Sequence, residues 1–270
     1  MPKEINIATN NGDIGGGEVM LFNIARALRS LGHEVTIVGP ASPSEVVEAA
    51  ADEGFDVVCL PATTRKQYMT HLRIWDQRSR KGLLWCNGLV PSFATAGHQN
   101  RIVHLHQVPQ GKLRWLLKFA QICTLKTLVP SKFASQFVKT AEVFPNWVST
   151  INMPLKRKPI GKTISIGFLG RPSVIKGTDT LARAIERLNR EETLQFELVI
   201  AGESKFVDEG AQQNLQKTLS CIQYQTRFLG WVEPSVLFQQ IDILVVPSKI
   251  PESFGLVATE AMSARVPLLV

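Results

Sequence analysis

Residues 241–264 read IDILVVPSKIPESFGLVATEAMSA. The stretch opens with an apolar run, Ile241 to Val246, interrupted only by Asp242. Its length and β-branching predict a buried parallel strand. Pro247-Ser248 stops that strand, Pro251-Glu252-Ser253 precedes Gly255, and Leu256 to Ala264 reads as a helix. Such a helix start leaves free N–H groups around Ser253 to Val257 and a positive dipole end, which suits an anion. Gly255 removes a side chain where a phosphate would approach. Glu252 lies in the loop and Glu260 on the helix, with seven residues between them. As charges at a helix end alone, the two glutamates are worth about 0.3–1 kcal/mol each. Two acids beside an anion site make better sense if the anion belongs to a sugar nucleotide. One acid then accepts sugar hydroxyls and the other ribose hydroxyls.

This string closely resembles the nucleotide-sugar signature of retaining glycosyltransferases of family four. The resemblance implies a GT-B fold: α/β, with two Rossmann-like parallel-sheet domains facing a cleft. It implies that Glu252 orients the sugar and Glu260 the ribose. It also implies that Ser253, Phe254, Gly255 and Leu256 bind the donor, with the helix N-terminus at Gly255-Leu256 on the diphosphate.

The chain has 270 residues, 44% hydrophobic and 20% charged, enough for one large or two small domains. Its net charge of +7 suits anionic ligands, anionic lipid or nucleic acid. Four widely spaced cysteines, Cys59, Cys86, Cys123 and Cys221, form no C-x-x-C and read as reduced, buried thiols. The N-terminus MPKEINIATN has no apolar core for a signal peptide. No segment approaches the ~20 apolar residues needed to span a bilayer, so a cytoplasmic location is expected.

In chain order, Ile5 to Thr9 reads as a strand, Asn10 to Gly17 as a glycine-rich turn, Glu18 to Leu31 as a helix and Glu34 to Val38 as a strand. This unit predicts a Rossmann-like parallel sheet. A dinucleotide site is disfavoured, because the glycines do not form G-x-G-x-x-G and the second strand ends in Val38-Gly39-Pro40, without a ribose-binding acid. On the pattern alone, Gly15 to Gly17 are equally a tight turn with no ligand. GGGE followed by SLGHEVTIV resembles the amino-terminal signature of the same family, which places Gly16 and Gly17 near the donor. Short apolar runs follow at Val57–Leu60, Leu83–Cys86, Ile102–His106 and Thr127–Val129. Asn87, His104 and His106 sit at their carboxyl ends, where parallel sheets meet ligands. The family's sugar-contacting histidine matches His106 best, and His104, two residues earlier on the same face, stays open. Asn87 departs from the histidine that many relatives carry there. Lys112 to Cys123, KLRWLLKFAQIC, is expected to be a half-buried helix covering the sheet, with contact to an anionic membrane as the other reading.

Asn146 to Gly161 is rich in Pro, Lys and Arg, with no periodicity. It divides the chain into residues 1–150, a linker at 151–161 and residues 162–270. The segment GRPSVIKG fails as a P-loop, since Ile175 replaces the second glycine and Gly177 the Ser/Thr. The resemblance instead makes Arg171 and Lys176 a clamp on the donor diphosphate and puts the nucleoside base near Gly230. It further implies a glycan or lipid-linked acceptor, no nucleic-acid partner and no covalent glycosyl-enzyme intermediate. No Asp-x-Asp occurs, so neither a metal nor another cofactor is expected. Relatives continue beyond the position of Val270, so a fragment is expected. The rival reading is a truncated glycosyltransferase that binds a partner without turnover.

Overall fold

The protein is described by a computed structural model covering residues 3–109, 111, 113–153, 161–202, 219–220, 222 and 225–270. The expected linker residues 154–160, Lys112 and Cys221 lie outside these. The chain forms two compact units, Met1–Trp147 and Val148–Val270.

The first unit alternates strands and helices: β1 (Glu4–Ala8), α1 (Gly16–Ser30), β2 (Glu34–Pro40), α2 (Glu45–Asp52), β3 (Asp56–Leu60), α3 (Arg65–Arg78), β4 (Leu83–Asn87), α4 (Leu89–Ala94), β5 (Arg101–His104), α5 (Leu113–Ala120), β6 (Lys126–Val129), α6 (Lys132–Phe137) and β7 (Glu142–Val143). Its parallel sheet has the order β3-β2-β1-β4-β5-β6-β7. Alternation along β1 fills both faces. Ile5 and Ile7 pack with Met20, Leu21 and Ile24 of α1, whereas Ala8 packs with Tyr68 and Leu72 of α3. Each such Ile or Leu contributes about 1.5–3 kcal/mol by leaving water, well above any local propensity.

The second unit runs β8 (Thr163–Leu169), α7 (Thr178–Glu191), β9 (Gln195–Ala201), β10 (Thr226–Gly230), α8 (Pro234–Phe238), β11 (Ile243–Val245), α9 (Leu256–Ser263) and β12 (Leu268–Leu269). Its smaller parallel sheet has the order β10-β9-β8-β11-β12. Leu181, Ala182 and Ile185 of α7 cover one face, and Leu237, Phe238 and Ala261 cover the other.

Several expectations change. Gly16 and Gly17 belong to α1 and not to the preceding turn, because the buried Glu18 carboxylate accepts the Gly15 N–H at 3.2 Å and starts the helix early. The run Ile241–Val246 yields a strand only over Ile243–Val245. Asp242 instead clasps Ser165, donating its N–H to Ser165 O and accepting the Ser165 N–H on Oδ2, both at 2.8 Å. Ile151 and Met153, expected in the linker, pack on the second unit's core, and the Ile151 N–H donates to Ser263 Oγ at 3.2 Å. Cys86 is buried as expected. Cys59 and Cys123 are exposed, the first on the outermost strand β3 and the second in a loop. α5 buries Leu117 and Ala120 but leaves Leu113, Trp115 and Phe119 exposed, with Lys118 Nζ 4.6 Å above the Trp115 ring. Among the described residues no helix is long and apolar enough to cross a membrane.

Candidate functional site

In an open parallel sheet, ligands meet the strand ends where chain order reverses direction. In the second unit that point lies between β8 and β11. β8 leads into Gly170 and the exposed Arg171, then into the loop that carries Lys176. Gly177 ends the loop at φ +73°, where a Cβ would lie 1.9 Å from Pro247 O. Only glycine lets this loop settle on the exit of β11. Lys249 adds two ties between the loops. Its N–H donates to Ile175 O at 3.0 Å, and its Nζ donates to both carboxylate oxygens of Asp179 at 2.8 Å.

These ties bring Lys176 and Glu252 together. Lys176 Nζ donates to Glu252 Oε1 at 2.6 Å, and the Ser248 hydroxyl donates to the same oxygen at 2.6 Å. Burial alone would raise the Glu252 pKa, but the bonds from Lys176 and Ser248 outweigh it and hold the carboxyl below its ordinary value. Glu252 therefore stays ionised at neutral pH. Ser253, Phe254 and Gly255 are half-buried ahead of α9. Gly255 caps that helix at φ +85°, and the first internal bond is Thr259 N–H to Gly255 O at 3.1 Å. The N–H groups of Leu256, Val257 and Ala258 precede it without acceptors inside the helix. At the outer strand β10, Gly230 O accepts the Gly202 N–H at 2.7 Å, so two strand-end turns lie side by side.

Glu260 differs from Glu252. Burial, and secondly the nearby Glu233, push its pKa up to about 7 from an ordinary 4.5. Between those two values the folded chain binds a proton that the unfolded chain has lost. Stability from this group therefore falls as pH rises through that window and is level above it. Glu260→Gln is expected to raise the melting temperature at pH 8 and leave it nearly unchanged at pH 4. A lower melting temperature at pH 8 would sink the assignment.

In the first unit the reversal lies between β1 and β4. The start of α1 and the end of β4 meet there. Asn87 Nδ2 donates to Gly17 O at 3.2 Å, and Asn87 Oδ1 lies 2.6 Å from His106 Nε2. A Cβ on Gly17 would sit 3.4 Å from His106 Cδ2, so the ring lies against the helix backbone. Burial lowers the His106 pKa to about 4, and its Nδ1 is buried without a partner among the described residues. His104 is fully buried; burial, and then His106, lower its pKa. Lys249, Asp179 and Ser248 escaped sequence reasoning. The pairing of Lys249 with Asp179 spans 70 residues, and no spacing rule links PSKIPES to GTDT.

Two Rossmann-like sheets in one chain, each with glycines and charged or polar groups at its reversal point, are the architecture of the GT-B glycosyltransferases. Residues 14–151 match the family model described as Glycosyltransferase Family 4, and residues 163–270 match Glycosyl transferases group 1. The chain belongs to glycosyltransferase family 4. A D-inositol 3-phosphate glycosyltransferase of Corynebacterium diphtheriae is 25% identical over 96% of this chain and 74% of its own length. One from Corynebacterium jeikeium is 37% identical over 40% of this chain and 27% of its own length. Among solved structures, HepE of Anabaena, crystallised with UDP and glucose, superimposes with a TM-score of 0.78 at 18% identity. That match covers 98% of this chain and 80% of HepE, and it speaks for the fold.

Proposed function

We propose that this glycosyltransferase moves a sugar from a nucleoside-diphosphate sugar to a glycan or lipid-linked acceptor, with retention at the anomeric carbon and without a metal. The observation that carries the reading is the Lys176–Glu252 pair beside the start of α9. Lys176, Arg171 and the N–H groups from Leu256 onward would hold the diphosphate and take up the charge that develops on it as it leaves. Glu252 would orient the sugar and Glu260 the ribose, with the base near Gly230. In the first unit, Gly16, Gly17 and His106 are the candidates for meeting the sugar. HepE, solved with UDP-glucose, supports UDP as the first nucleotide to try.

A thermal-shift titration with UDP, GDP, ADP and NAD tests the reading. One nucleoside diphosphate at about 100 times its Kd should add about 2.7 kcal/mol to stability. A shift with NAD alone, or with none of the four, overturns it. The anomeric configuration of the product, read by NMR, decides retention. Exposed Leu113, Trp115 and Phe119 beside Lys118 support peripheral contact with an anionic membrane. Sedimentation with anionic vesicles, against neutral ones, tests that part.

A further inference from the structure

Asn87 ends β4 at the reversal point of the first sheet and is 4% exposed. Its two bonds leave one arrangement of protons. A carbonyl can only accept, so the atom facing Gly17 O is the donating Nδ2. Oδ1 is then the atom facing His106 Nε2, and that nitrogen must carry the ring proton. Nδ1 is left with a lone pair, under cover and unpartnered among the described residues. Two residues back along β4, Trp85 Nε1–H donates to His104 Nδ1 at 3.3 Å, which puts the His104 proton on Nε2. That Nε2 is also buried and unpartnered among the described residues, and the two imidazole centroids are 4.3 Å apart. Alternate residues of one strand thus set the tautomers of two adjacent histidines.

We infer that Asn87 is the positioning residue of His106: it fixes the ring in its Nε2–H form and ties it through Gly17 to the first turn of α1. For the reaction, this rests on the reading of His106 as a sugar contact. The locked ring keeps an acceptor at the covered Nδ1 and no free donor. It can take a hydroxyl proton but cannot hold a carbonyl or phosphate oxygen. Gly17 and His106 are 89 positions apart in the chain, and one amide side chain links them. A displacement of either is therefore passed to the other.

Long-range proton–nitrogen NMR of the five histidines reads the tautomer directly, with His106→Gln to assign the signal. The expected wild-type signal is a single Nε2–H form. Asn87→Ala is expected to give a mixture with the Nδ1–H form. Asn87→Asp keeps an acceptor for Nε2–H, so it should restore the tautomer while losing the bond to Gly17. Unchanged resonances of the distant His33 and His71 establish that each variant is folded. An unaltered His106 tautomer in Asn87→Ala overturns the inference. This arm needs no donor, so it decides even if the nucleotide titration fails and the proposed reaction falls with it. In the transfer assay Asn87→Ala should lower kcat roughly tenfold to a hundredfold with little change in donor KM. A shifted tautomer with unchanged kcat overturns the positioning role.

Discussion

Lys176→Ala is expected to cut sugar transfer by roughly 10²–10³-fold and leave the protein folded. The two effects separate because they depend on different surroundings. In the resting protein Lys176 pairs with Glu252 where the two side chains are 41% and 34% exposed. Water screens such a pair, and its net contribution to stability is about 0–1 kcal/mol. During transfer, charge would gather on the departing diphosphate, and a fixed cation there acts when water is excluded. The variant also loses the strongest bond that keeps Glu252 ionised, so the proposed sugar contact at Glu252 would be weakened by the same change. Initial rates and a melting curve on one preparation check both halves. Unchanged turnover removes Lys176 from the chemistry, and a stability loss above about 2 kcal/mol makes it structural.

The largest loss of stability is expected from Arg101→Met. Arg101 opens β5 and is completely buried. Its Nε donates to His98 O at 3.0 Å. One terminal nitrogen donates to Ser92 O and Thr95 Oγ1, both at 2.9 Å. The other donates to Ala120 O at 2.9 Å and Ile122 O at 2.7 Å. These carbonyls lie at the last turns of α4 and α5 or just beyond, where helices run out of their own donors and present negative dipole ends. Methionine fills similar space and donates nothing, so the buried Ser92 and Ala120 oxygens lose this donor, while Ile122 O keeps the Gly97 N–H at 3.2 Å and Thr95 Oγ1 its bond to Pro91 O at 2.9 Å. The expected cost is about 3–5 kcal/mol, read as a fall in the urea midpoint of the first unit. Lysine should recover little, since one ammonium cannot match a planar fork that serves both helices. A loss below about 1 kcal/mol would refute this account.

The parallel α/β pattern was legible because glycine turns, apolar runs and helical spacing recur in order from Ile5 to Ala264. The PESFG segment was legible because loop, helix start and both glutamates fall within one short stretch. Long-range side-chain pairing was not. Nothing in the order of residues announces that Lys249 holds Asp179, or that Arg101, one position ahead of the apolar run Ile102–His106, is wholly enclosed. Asn87 stood out as a polar residue at a strand end and as a departure from a histidine, and its meaning needed the positions of Gly17 and His106. The early start of α1 turned on one buried carboxylate, which propensity cannot weigh against a run of glycines.

The loops that follow β8 and β11 also say when this region takes shape. Lys176 reaches Glu252 across 76 residues and Lys249 reaches Asp179 across 70. Both contacts need β8 and β11 to be side by side, with Ile166 opposite Ile243. Contacts of such separation carry a large closure entropy and form after the local βα units have condensed. Ligand contacts made by these loops are therefore absent from the folding barrier. A bound nucleotide would lengthen the lifetime of the native protein by slowing its unfolding and would leave the rate of folding almost untouched.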